Sequence, residues 1–173
     1  MDRADVYAES LLALIGSEDS PQVVVDELYQ VAQAFESSDD LRSQLSDQTV
    51  PAPRRQQIIE QLLGQSAHPV TTAVTSLIVG AGRANEFPRI AKGIVERSAT
   101  AANKSLAEVR SAVPLSTDQQ ARLAAALERK LGHPVDVKVT IDPSVVGGVV
   151  TQIGDTVIDG SVRSRLTQLR EVF

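Results

Sequence analysis

The sequence predicts a mainly α-helical fold with a small α/β part: an N-terminal six-helix bundle over residues 1–105, then a compact C-terminal domain of strands and two helices over residues 106–173. Three observations carry this. Apolar residues recur at helical spacing up to about residue 103, and from Leu106 the period shortens to the alternation of strands. Charge shifts along the same axis, with net −9 over residues 1–47, +4 over 48–105 and zero over 106–173. At roughly 150 residues per domain, a chain of 173 residues fits one domain or two small ones, and its 42% hydrophobic content suffices for a core.

The elements follow in order. Tyr7, Leu11, Leu14 and Ile15 share one stripe that stops at Gly16, suited to the left-handed turn after a helix. Ser20 as N-cap and Pro21 at the first helical position open a second helix, with Val24, Leu28, Val31 and Phe35 on its apolar face. Ser38 or Asp39 caps a short third around Leu41 and Leu45. The stretch from Thr49 to Pro53 separates it from a fourth, which carries Ile58, Ile59, Leu62 and Leu63 up to Gly64. The fifth, from about His68 to Ala81, carries no charge, so it is expected to be covered nearly all round. The sixth runs from about Ala84 through Phe87, Ile90, Ala91, Ile94 and Val95 to near Asn103, with Pro88 in its first turn, where a missing N–H costs little.

Ala107, Val109 and Val113 then alternate as in a strand, and Ser116-Thr117-Asp118-Gln119 forms a capping box before a helix with Leu123, Leu127 and Leu131, closed by Gly132. Val135, Val137, Val139 and Ile141 alternate with polar residues, the clearest strand in the chain. Asp142-Pro143 ends it, Gly147-Gly148 precedes a strand from Val149 to Ile153, Gly154-Asp155 makes a tight turn and Thr156 to Ile158 returns. A last helix carries Val162, Leu166, Leu169 and Phe173.

Composition excludes whole classes of chemistry. With no Cys there are no disulfides, thiolate metal sites or cysteine nucleophiles. The longest nearly apolar run, Ala73 to Ala81, falls far short of the roughly 20 residues of a membrane span, and an N-terminus reading Met-Asp-Arg-Ala-Asp is not that of an export signal. An acidic pI near 5.0 and 3% aromatic residues argue against nucleic acid as a partner. Gly80-Ala81-Gly82-Arg83-Ala84-Asn85 imitates a dinucleotide-binding motif but ends a helix instead of joining strand to helix. His68 and His133, each before a Pro, read as loop residues without ligand spacing, and Arg83 reads as neutralising the carbonyl end of helix five. Asp155, Asp159 and Ser161 are explained by a turn and a helix entry, and no base partner stands near them. No catalytic residue, cofactor or metal is expected; what remains is a chain that holds other proteins.

The run Gly147-Gly148-Val149-Val150-Thr151-Gln152-Ile153-Gly154-Asp155-Thr156-Val157-Ile158-Asp159-Gly160-Ser161-Val162-Arg163-Ser164-Arg165-Leu166 resembles the C-terminal signature of the delta-subunit family of bacterial F-type ATP synthase, equivalent to the mitochondrial oligomycin-sensitivity-conferring protein. Tyr7-Ala8, Gly82-Arg83, the stretch from Ser111 to Ser116 and Asp142-Pro143-Ser144 extend the resemblance along the chain. It implies a non-catalytic stator subunit, one copy per complex, peripheral on the cytoplasmic face of the bacterial membrane. Such a subunit links the catalytic head to the peripheral stalk, so that the head resists rotor torque during ATP synthesis.

The resemblance also implies partners and contact residues. The N-terminal helix of an alpha subunit is expected in a groove between helices one and five, lined by Tyr7, Ser10, Leu11 and Leu14 on one side and Val74, Leu77, Ile78 and Ala81 on the other. For Leu11 and Leu14 a place in the bundle core is an equal alternative. The C-terminal region of the b subunit is expected to meet the last helix at Leu166, Leu169 and Phe173, although Leu166 and Leu169 can equally pack within their own domain. Gly148, Gly154, Asp155, Asp159 and Ser161 are assigned to turn geometry and capping. A small adaptor or regulatory module outside the synthase is the alternative function. A hydrolase built on Asp155, Asp159 or Ser161 would need a polar cleft around them.

Overall fold

The computed structural model describes residues 3–161, and the chain divides into two compact units, residues 1–98 and 99–173. The described part is mainly helical with a small α/β portion. The helices are α1 (Arg3–Ile15), α2 (Pro21–Ser37), α3 (Asp39–Ser46), α4 (Ala52–Leu63), α5 (Pro69–Gly80) and, after a 3-10 turn at Ala84–Glu86, α6 (Phe87–Ala101). There follow β1 (Ser105–Ser111), α7 (Thr117–Leu131), β2 (Val135–Ile141), β3 (Val149–Ile153) and β4 (Thr156–Asp159). The last helix expected from Val162, with Leu166, Leu169 and Phe173, lies outside the described residues.

The apolar stripes of the sequence become the core of the first unit. Val24, Leu28 and Phe35 of α2 and Phe87, Ile90, Ala91, Ile94 and Val95 of α6 are all buried. Phe35 and Phe87 meet edge to face, with ring centroids 6.1 Å apart. On α4 only Ile59 of the expected stripe is fully buried, whereas Leu62 is exposed.

The helix ends show which local signals were used. Ser38 caps α3 by accepting from the Leu41 N–H, whereas Ser20, expected as the N-cap of α2, makes no side-chain cap, and Pro21 there removes one orphan donor instead. Helix α5 is capped from two sides. His68 is no idle loop residue: its Nδ1 accepts from the Val70 N–H, and its own N–H donates to Glu27 Oε2 at 2.8 Å. Thr71 Oγ1 donates to the same carboxylate oxygen at 2.6 Å, so an acidic side chain of α2 sits at the positive end of α5. At the other end Gly82, at φ +72°, donates to Val79 O while Arg83 N–H donates to Ile78 O, the paired bonds of a left-handed helix stop. Asn103 at φ +54° closes α6 likewise, with Lys104 N–H donating to Ala99 O.

In the second unit the strand order is β2-β1-β3-β4. β1 and β2 are parallel, with Ala107 opposite Val137, and α7 makes the crossover between them; β3 is antiparallel to β1 and forms a hairpin with β4. Leu127 packs on Ala107 and Val135, with Leu123, Leu131, Val137, Ile153 and Ile158 around them. The capping box is formed in full, Ser116 Oγ accepting from Gln119 N–H and Gln119 Oε1 from Ser116 N–H, and Gly132 at φ +78° ends the helix. Val113, expected on the first strand, lies beyond it and is exposed.

The cap supplied by Glu27 is a single carboxylate serving two donors far away in sequence. Glu27→Ala is expected to lower the unfolding free energy of the full chain by about 1–2 kcal/mol in urea titration. Combining it with Thr71→Val should cost less than the two losses added together, because both remove the same bond. Strict additivity would contradict this arrangement.

Candidate functional site

The residues that set α5 apart are its uncharged outer ones. Thr71, Val74, Thr75, Ile78 and Val79 face inward and are buried. Ala73, Leu77 and Ala81, spaced four apart, form an outward stripe that stays exposed, with Leu77 at 51%. The expectation that this helix is covered nearly all round is thus corrected: one side enters the core and the other meets water without a charge on it.

Helix α1 is divided in the same way. Ala4, Ala8, Leu11 and Ile15 are buried, and Val6, Ser10, Ala13 and Leu14 are exposed, Leu14 at 53%. Ser10 donates its hydroxyl to Val6 O at 2.9 Å, so its one proton is satisfied within the helix and the surface it presents is small. Tyr7 is half-buried, and the Arg83 guanidinium lies over its ring, 4.2 Å from the centroid. Arg83 also grips Glu86 through Nε and Nη2, at 3.3 and 3.1 Å. The expected role of Arg83 is therefore displaced. Backbone N–H groups of Gly82 and Arg83 already serve the carbonyl end of α5, which frees the side chain to bind α1 to the segment after α5.

Of the eight groove residues expected from the sequence, the structure leaves Ser10, Leu14, Leu77 and Ala81 exposed and Tyr7 partly so. It places Leu11, Val74 and Ile78 in the core, at 6%, 2% and 0% exposure. The two readings open for Leu11 and Leu14 divide accordingly, Leu11 inside and Leu14 outside. Val6, Ala13 and Ala73 join the open surface and were missed. The spacing of Val6, Ser10 and Leu14 by fours was the available signal, hidden because the stronger stripe through Leu11 and Ile15 describes the inner face.

The glycine-rich signature of the second unit is turn geometry. Gly148 lies at φ +72°, and a Cβ there would stand 2.5 Å from Gly160 O; Gly154 lies at φ +54° in the hairpin turn with open space around it. Asp159 Oδ1 accepts from Ser161 N–H at 2.9 Å, while Asp155 is exposed at the opposite end of β4. These side chains do not converge on a cleft. Upstream, the hydroxyl and amide of Ser144 hold the Asp142 carboxyl below the usual carboxylate range, helped by Arg110 Nη1 at 3.4 Å. The stalk-side residues Leu166, Leu169 and Phe173 lie outside the described residues. Among the described residues no helix is long and apolar enough to cross a membrane.

Comparison with known proteins bears on the family of the chain. Residues 4–173 match the family model described as ATP synthase delta (OSCP) subunit. The chain is 38% identical to the ATP synthase subunit delta of Nocardia farcinica over 94% of its own length and 60% of the relative's. It is 37% identical to that of Rhodococcus opacus, over 94% of this chain and 59% of the relative. It thus spans about 60% of the curated relatives it matches. A chain in the cryo-EM structure of the Toxoplasma gondii mitochondrial ATP synthase hexamer shares the fold at TM-score 0.60 and 20% identity, covering 99% of this chain and 97% of that one.

Gly148→Ala and Gly154→Ala separate two costs. Both put a side chain on left-handed backbone, at about 1 kcal/mol, but only the first also drives Cβ into a backbone carbonyl. Urea midpoints are expected to fall clearly further for Gly148→Ala; equal losses would contradict the close approach at Gly160.

Proposed function

The chain belongs to the ATP synthase delta (OSCP) subunit family, and from that premise we propose that it is a non-catalytic stator subunit of an F-type ATP synthase. It joins the catalytic head to the peripheral stalk and keeps the head from turning with the rotor during proton-driven ATP synthesis. Residues 1–105 act as a six-helix bundle that binds the head, and residues 106–173 as a small α/β domain of strands and two helices that binds the stalk. The partners are the N-terminal helix of an alpha subunit and the C-terminal region of the b subunit. One copy sits peripherally at the cytoplasmic face of the membrane, held there through the complex.

The observation that carries this reading is the uncharged, exposed stripe of α5. An amphipathic helix laid along Ala73, Leu77 and Ala81, with Ser10 and Leu14 of α1 as the other wall, buries apolar surface and strands no charge. Leu14 and Leu77 are each about half exposed, so covering what remains is worth about 1 kcal/mol apiece. Small residues at Ser10, Ala73 and Ala81 allow the incoming backbone to approach closely. Leu11, Val74 and Ile78 support the walls from beneath, and the Tyr7–Arg83 stack fixes the end of the groove. On the stalk side, Leu166, Leu169 and Phe173 with the adjoining sheet form the contact surface, and Gly148, Gly154, Asp155, Asp159 and Ser161 shape the turns that carry it.

The test is calorimetric titration of the full chain with a peptide of the cognate alpha subunit's N-terminus, about 20 residues or one helix of about 30 Å. Wild type should bind one peptide. Leu77→Glu and Ala81→Glu should each weaken binding at least about tenfold by placing a charge in a desolvated groove, with far-ultraviolet circular dichroism unchanged. Undiminished affinity in both variants would overturn the groove assignment.

A further inference from the structure

The first unit contains an apolar cavity of about 250 Å³ between α2, α3, α4, α5 and the start of α6. Its floor is formed by Phe35, Leu45, Ile59, Val79 and Phe87, all buried. Its mouth lies at Ala34, Leu41 and Leu62, the last 54% exposed. Thr75 also lines it, but its hydroxyl donates to Thr71 O at 2.8 Å, so its one proton is spent on its own helix.

That lining selects the occupant. Water in a cavity needs two to four polar partners, which these side chains do not offer. An ionised group would lose its hydration without replacement. An apolar cavity of about 150 Å³ already holds benzene, so this one has room for a single ring with a small substituent. The edge-to-face pair of Phe35 and Phe87 in the wall supplies the geometry that aromatic rings favour.

We propose that this cavity is a binding site for a neutral small molecule built on one aromatic ring, separate from the α1 and α5 stripe. Val79 and Thr75 form one wall of it, while Leu77, on the same helix, belongs to the outward stripe. A bound ring therefore braces α5 from the side opposite its open surface. The site does not depend on the stator reading, because its chemistry follows from the lining alone.

The test is a methyl-detected NMR titration of the full chain with toluene, and with benzoate as the charged counterpart of the same ring. Toluene is expected to give saturable shifts confined to the methyl groups that line the cavity, Val31, Leu41, Ile59, Leu63 and Val79 among them, and to raise the thermal midpoint, whereas benzoate does neither. Ala34→Phe, at a solvent-exposed helix position in the mouth, should keep the wild-type spectrum elsewhere and lose the toluene response at least about tenfold. The proposal is overturned if toluene shifts nothing in the folded wild type, if its shifts scatter over the surface, if benzoate responds equally, or if a folded Ala34→Phe variant binds like wild type.

Discussion

The seating of α5 is the constraint on which the rest of the N-terminal unit depends. Helix α5 has no charged side chain to mark its solvent side, and both of its ends are held by groups outside it. Glu27 of α2 holds its first turn through His68 and Thr71, and the backbone N–H groups of Gly82 and Arg83 close its last turn. Between those ends Val74 and Ile78 enter the core, which obliges Ala73, Leu77 and Ala81 to face outward. An apolar stripe on a surface is a cost in isolation and an asset when a partner covers it.

The same seating ties other features together. Arg83, released from the carbonyl end of α5, stacks on Tyr7 and pairs with Glu86, so the strand of chain leaving α5 is fastened to α1. Thr75 and Val79 wall the aromatic-lined cavity. One helix thus serves the core and a cavity, neither of which tolerates a charge, and an open surface that excludes one once the proposed partner covers it. That accounts for a composition which sequence periodicity alone explains as full burial. The proposed stator role asks for stiffness and adhesive surface more than reactive groups, and the described residues supply caps, stops and packed stripes.

Much of the fold was legible because its signals are local. The capping box at Ser116 and Gln119, the alternation from Val135 to Ile141 and the stop at Gly82 are each read within one element, and each stands in the structure. What was not legible depends on partners distant in sequence. Glu27 meets His68 and Thr71 across more than forty residues; Pro69 marks where the helix begins, but nothing near His68 in the chain names the distant carboxylate that caps it. Leu11 and Leu14 look alike on a helical wheel, yet neighbouring elements bury one and leave the other open. Periodicity shows which residues share a face; it does not show how wide a face the neighbours cover, and that width separates core from open surface here.

In the proposed function, the open stripe of α5 and the outer face of α1 receive a helix of the catalytic head. The most direct measurement is residue-by-residue amide NMR mapping of the full chain while the alpha N-terminal peptide is added to saturation. Shifts concentrated on Ser10, Leu14, Ala73, Leu77 and Ala81, with Tyr7 and Arg83 at one end, are the predicted result. Shifts centred on the second unit or on the outer faces of α2 and α3, or none at all in a folded chain, would contradict it.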